Sequence, residues 1–123
     1  MSPGQLNSLL QSNVIDVRFA RRRPRPGVPP TRRMLCTLDS SILNSVNGRT
    51  VLNYSPPGSN LPYDVYNKGL CMAWDIIMQD FRMISSETAS MLNTYPGDDT
   101  FWEYFNQNIQ PMSTEEKTSF MNT

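Results

Sequence analysis

The sequence predicts a mainly α domain with one β-hairpin and an extended Arg/Pro-rich N-terminal arm. Three observations carry that prediction. Apolar residues from Tyr66 to Ile84 recur at helical period, Asn47-Gly48 stands between two alternating apolar runs, and residues 18–33, RFARRRPRPGVPPTRR, hold seven arginines and four prolines in sixteen positions. The division that follows is a helix and extended hook over 1–19, the arm over 20–33, and a mostly helical domain over 34–123 with its hairpin at 41–54.

Taken in order, Ser2 caps and Pro3 starts a short helix with Leu6, Leu9 and Leu10 on one side. Val14, Ile15, Val17 and Phe19 have strand composition. In the arm, Pro24, Pro26, Pro29 and Pro30 forbid a helix and push the preceding residues to extended conformations. As polyproline II, at about 3.1 Å per residue, residues 20–33 would reach roughly 40 Å. Asn47-Gly48 is the signature of a type I′ turn, and Pro56-Pro57-Gly58 ends the hairpin.

From Asp64 the period changes. Tyr66, Leu70, Ala73, Trp74, Ile77, Phe81 and Ile84 cluster within about 100° on a helical wheel. Beside them Val65, Met72, Ile76 and Met83 form a second apolar strip, a candidate oligomer interface, because a helix apolar over so much of its girth is central or shared. Ser85 or Ser86 then caps a short helix through Met91 and Leu92. Tyr95-Pro96-Gly97 breaks it. Asp98 or Asp99 caps a third helix carrying Phe101, Trp102, Phe105 and Ile109, and Ser113 with Glu116 has capping-box spacing for a last one.

Charge is segregated, although the net charge is zero. Arg18, Arg21, Arg22, Arg23, Arg25, Arg32 and Arg33 lie in a stretch with no acid, while the rest of the chain holds four bases against eleven acids. A cationic arm joined to an anionic body favours a negative partner, or arm-to-body contact between copies. Arginine suits phosphate and carboxylate through its planar fork.

The same composition argues against chemistry. With no histidine in 123 residues, the commonest general base and the Ser-His and Cys-His nucleophile systems are absent. No P-loop or GxGxxG occurs. Asp98-Asp99 reads as a helix cap, and two isolated cysteines, Cys36 and Cys71, read as buried reduced thiols. MSPGQLNSLL has neither the charged region nor the apolar stretch of a signal peptide, and no apolar run reaches membrane length. The expectation is an intracellular or particle-bound protein with no membrane contact, no enzymatic activity, no cofactor and no metal.

The seven arginines are therefore the candidate binding residues. Their partner is nucleic acid, held by its phosphate backbone without reading base sequence, or a neighbouring subunit of the same or another chain. The whole is a non-enzymatic assembly subunit whose organisation is like that of many viral capsid and nucleocapsid proteins, a likeness of design carried by no family motif. The alternatives are a small nucleic-acid-binding accessory protein, a subunit of a cellular multi-protein complex, and a polyproline ligand of an SH3-like partner through Arg23-x-x-Pro26-x-x-Pro29.

Overall fold

The computed structural model describes residues 2–43 and 69–123. Helix α1 (Pro3–Ser12) opens the chain as its residues dictate. Ser2 Oγ accepts from the Gln5 N–H at 3.2 Å, and Gln5 Oε1 accepts from the Ser2 N–H at 3.0 Å, a complete capping box ahead of Pro3. Strand β1 (Asn13–Ala20) follows without a break. It pairs with β2 (Thr31–Thr37) in a hairpin whose register runs from Val14↔Thr37 to Ala20↔Thr31. A single helical turn, α2 (Ser40–Leu43), ends the first described stretch.

The second stretch contradicts a mainly α fold. The chain forms a five-stranded sheet in the order β4-β3-β2-β1-β5, every neighbouring pair antiparallel. Where the periodicity after Asp64 predicts a helix, residues 70–85 form a hairpin of β3 (Leu70–Asp75) and β4 (Asp80–Ser85). The turn between them contains no glycine or proline. Asp75 builds it: Oδ1 accepts from the N–H groups of Ile77 and Met78, both at 3.0 Å, and its carbonyl accepts from Gln79 at 2.8 Å. Gln79 takes φ of 57°, the one positive φ outside glycine among the described residues. A side-chain turn of this kind mimics a backbone turn, and it reverses an apolar run whose length alone suits either a helix or two strands. The apolar pairs thus meet across strands: Trp74 opposite Phe81, edge-on at 4.9 Å between ring centroids, and Met72 opposite Met83.

The short helix placed at residues 85–92 is also corrected. A 3₁₀ turn (Ser86–Thr88) leads into β5 (Ser90–Pro96), which pairs with β1 across a bulge at Asp16/Val17. The two remaining helices stand where their caps put them. Asp98 accepts from the Thr100 N–H at the start of α3 (Asp99–Tyr104), which runs on through a π-helical turn (Phe105–Ile109). Ser113 and Glu116 close the box of α4 (Thr114–Met121). The expected hairpin at 41–54 lies outside the described residues apart from Ser41 to Leu43, which belong to α2.

Strand alternation sends side chains to two cores. Ile15, Val17, Phe19, Met34, Cys36, Cys71, Ala73 and Ile84 pack against Leu6 and Leu10 of α1. On the other face Val14, Leu35, Ile42, Ile76 and Ile77 pack against Phe101, Phe105 and Ile109. The interior strand β1 is covered on both sides, so Val14 to Val17 are all buried. Both sheet edges are capped by their own polar side chains. On β4 the Phe81 N–H goes to Asp80 Oδ1 (2.8 Å) and its carbonyl to Arg82 Nη1 (3.1 Å); on β5 the Thr94 N–H goes to Asn93 Oδ1 (2.8 Å). Side-chain capping of this sort makes an edge a poor template for another strand.

Cys36 and Cys71 are buried and free. Burial lifts both thiols above their ordinary value of 9.0, Cys71 to about 12. A thiol that ionises more readily when unfolded favours the unfolded state at high pH. Stability is therefore expected to be lost progressively as pH rises from the ordinary thiol value of 9.0 to about 12. Urea denaturation across that range checks it, and the loss should flatten when both positions are alanine. Asp75→Ala is expected to cost about 3–5 kcal/mol, because it strands a buried arginine, whereas Asp80→Ala, at an exposed pair, should cost under about 1 kcal/mol; denaturation midpoints separate the two.

Candidate functional site

The seven arginines do not form an arm apart from the fold. Arg18 lies in β1, Arg32 and Arg33 lie in β2, and residues 21–30, with the other four arginines, are the loop that joins the two strands. The ladder continues one rung past Ala20, with the Arg21 N–H donating to the Pro30 carbonyl at 2.9 Å. The loop then turns between Arg25 and Val28, where Gly27 takes φ of +81°. Four prolines restrict the backbone of the loop, so its arginines are presented by a chain with less freedom to lose.

Strand alternation decides which arginines are spent on the fold. Arg32 stands opposite Phe19 on the α1 face, about nine-tenths buried, and its Nη2 donates to Asp75 Oδ2 across the sheet. Burial pulls the Arg32 guanidinium down from its ordinary value and pushes the Asp75 carboxyl up, each against the pull of the other charge. Arg32 Nε is buried with no acceptor. Arg33 points to the opposite face and grips Asp16 with two bonds, Nε to Oδ1 at 2.9 Å and Nη2 to Oδ2 at 2.6 Å. The same guanidinium lies 4.2 Å from the centre of the Phe120 ring in α4. The Asp16 hydrogen bond is the largest influence on Arg33 and raises it. Arg18 Nε is also buried without an acceptor.

Arg21 is tethered, through Nε to the Pro29 carbonyl (2.9 Å) and through Nη2 to Asn122 Oδ1 (2.7 Å). Arg22, Arg23 and Arg25 are exposed and form no ion pair among the described residues. These four line one side of a groove of about 610 Å³. The same groove is lined by Phe19 and Arg32 and, from β4, by Phe81, Arg82 and Met83. The two carboxylates held by its arginines are Asp75, on Arg32, and Asp80, on Arg82 at 2.5 Å. The loop guanidiniums are left facing the groove with no carboxylate of their own among the described residues.

Phe81, Arg82 and Met83 are the residues that sequence reasoning does not bring to this site. Their signal is period-two alternation in LCMAWD and DFRMIS, hidden because the reversal between the two carries no glycine, proline or Asn-Gly. The candidate oligomer strip is dispersed. Ile76 is 1% exposed in the second core, Met72 and Met83 are half-buried partners on β3 and β4, and Val65 lies outside the described residues. Ile76 packs in the second core with Val14, Leu35 and Phe101.

No protein-family model, curated protein or solved structure matches the chain.

Among the described residues no helix is long and apolar enough to cross a membrane. What the groove offers chemically is dense, fixed positive charge beside an apolar wall.

Arg33→Ala leaves the Asp16 carboxylate, 4% exposed, without its cation, and should cost about 3–5 kcal/mol. Arg33→Lys should fall in between, since an ammonium replaces neither the bidentate fork nor the flat contact with Phe120. In both variants amide exchange over 114–121 should quicken more than in α1.

Proposed function

We propose that this chain is a non-enzymatic assembly subunit of nucleocapsid type that binds the phosphate backbone of nucleic acid through its β1–β2 loop. One observation carries the reading. Of seven arginines in sixteen positions, Arg32 and Arg33 are matched by Asp75 and Asp16, yet Arg22, Arg23 and Arg25 stay exposed and unpaired among the described residues on a proline-stiffened loop. A fold that neutralises its buried arginines with such care leaves these open at the cost of self-repulsion. A polyanion relieves that cost by exchanging its condensed counterions for the guanidiniums.

Arginine forks suit phosphate oxygens, and a loop already restricted by four prolines loses less entropy when it lies along a backbone. The charge is carried at the hairpin tip, beside the β4 edge that completes the groove.

The test is Arg22→Ala, Arg23→Ala and Arg25→Ala in one protein. Stability should stay within about 0.5 kcal/mol, since exposed charge changes rarely do more. Affinity for nucleic acid should fall for all sequences alike. The slope of log K against log salt should flatten by about 0.7–0.9 for each phosphate that is no longer neutralised, roughly two to three units in total. Unchanged affinity and slope would sink the reading.

A further inference from the structure

We infer that Arg21 is the anchoring phosphate contact of the groove, and that Asn122, which follows α4, is its positioning residue. This rests on the phosphate-binding reading of the same loop and adds which arginine contributes most to it and what aims that arginine.

The arginines around the groove differ in how they are held. Arg32 and Arg82 are held by the carboxylates of Asp75 and Asp80, which fix each guanidinium and cancel its charge in the same contact. Arg22, Arg23 and Arg25 keep their charge but are exposed and hold no carboxylate among the described residues. Each must be ordered as it binds, at a cost in side-chain entropy. Arg21 is the exception. Its Nε donates to the Pro29 carbonyl at 2.9 Å and its Nη2 to Asn122 Oδ1 at 2.7 Å. Its backbone N–H is pinned as well, on the Pro30 carbonyl at 2.9 Å. All three acceptors are neutral, so the side chain is fixed with its charge intact. A cation oriented before its ligand arrives, and not neutralised by what orients it, loses least on binding.

Arg21 is also within reach of a ligand. It is half-buried and lines the groove. Its Nη1 donates to no described residue, and it is not enclosed by the protein as Arg18 Nε and Arg32 Nε are. Nη1 and the second hydrogen of Nη2 remain for phosphate oxygens, which arginine takes through paired N–H groups.

Asn122 owes its place to α4. Its N–H closes the last turn on the Thr118 carbonyl at 3.1 Å, and two residues earlier Phe120 lies under the Arg33 guanidinium. Arg33 is itself held to Asp16 by two bonds. A helix that buries no residue completely thus delivers one amide oxygen to the loop.

The experiment measures binding of the intact chain to a labelled DNA of mixed sequence, single-stranded and duplex, across a salt series. Arg21→Ala and Arg22→Ala should each flatten the slope of log K against log salt by about 0.7–0.9, one phosphate contact apiece. Arg21→Ala should nevertheless weaken binding about two- to tenfold more, the advantage of a long side chain that is already immobilised. Asn122→Ala frees Arg21 without removing its charge, so affinity should fall about two- to tenfold with the slope unchanged. Asn122→Asp keeps the acceptor and cancels the charge, so there the slope should flatten by about 0.7–0.9. In an Arg21→Ala background Asn122→Ala should have no further effect, whereas a role confined to holding α4 would persist there. Should Arg21→Ala fail to fold, the two Asn122 variants carry the test alone. Arg21→Ala no weaker than Arg22→Ala, or Asn122→Ala binding as the unaltered chain does, overturns this inference and leaves the phosphate reading standing. No binding of either DNA overturns both.

Discussion

The carboxylate of Asp75 is the point on which the sheet turns. It accepts from two backbone N–H groups to close the β3–β4 reversal, and it neutralises Arg32 on the neighbouring strand. One side chain therefore fixes the hairpin and ties it to β2, where the direct strand pairing covers only Cys36↔Asp75 and Thr37↔Trp74. A buried ion pair is weak evidence of stability in itself, because desolvation offsets much of the attraction. Its effect here is on specificity. Arg32 has no other carboxylate partner among the described residues, so a shifted register would leave it buried and unanswered, and that penalty singles out one docking of the hairpin. The groove depends on the same pair, since it is lined by Arg32 and by the strand that Asp75 folds back.

The arginine-rich stretch shows how charge can be segregated along a chain and largely balanced in space. Residues 18–33 hold no acid, which along the sequence looks like an arm built for something outside. In the sheet, Asp16 two residues upstream of Arg18 reaches Arg33, and Asp75, more than forty residues downstream, reaches Arg32. Antiparallel pairing makes both meetings, and alternation sends Arg32 and Arg33 to opposite faces. The surplus that remains among the described residues is Arg18 on β1 and the arginines of the loop, where prolines exclude a helix.

What could be read from the sequence was what short range determines. The Ser2 cap with Pro3, the strand composition of β1, the Asp98 cap, the Ser113/Glu116 box and two buried free thiols all depend on residues within one turn or on side-chain character alone, and all stand in the structure. The mainly α reading failed where the deciding contact was remote. Leu70 to Ile84 satisfies a helical wheel because a dense apolar run satisfies almost any period; what makes it two strands is a carboxylate that prefers turn N–H groups and a guanidinium on β2. The site was legible to the same depth. Its loop arginines stood out by composition, but Phe81, Arg82 and Met83 enter the groove only through the hairpin.

The loop is also mechanically joined to the end of the chain. Helix α4 buries no residue completely, so it lacks the packing that holds α1. Half-buried Phe120 and Met112 rest against the second core, and the arginine hairpin supplies the rest: Arg33 lies flat over Phe120, and Arg21 bonds Asn122. The first of these is firm, since Arg33 is anchored by two bonds to Asp16. The second is a single bond from a residue that also lines the groove. A phosphate drawing the Arg21 guanidinium toward the groove would do so against its bond to Asn122, whereas Arg33, on the other face of β2, is out of reach of the same ligand. The hairpin thus divides its arginines: those on its strands help hold the C-terminal helix, and Arg22, Arg23 and Arg25 at its tip have no carboxylate among the described residues.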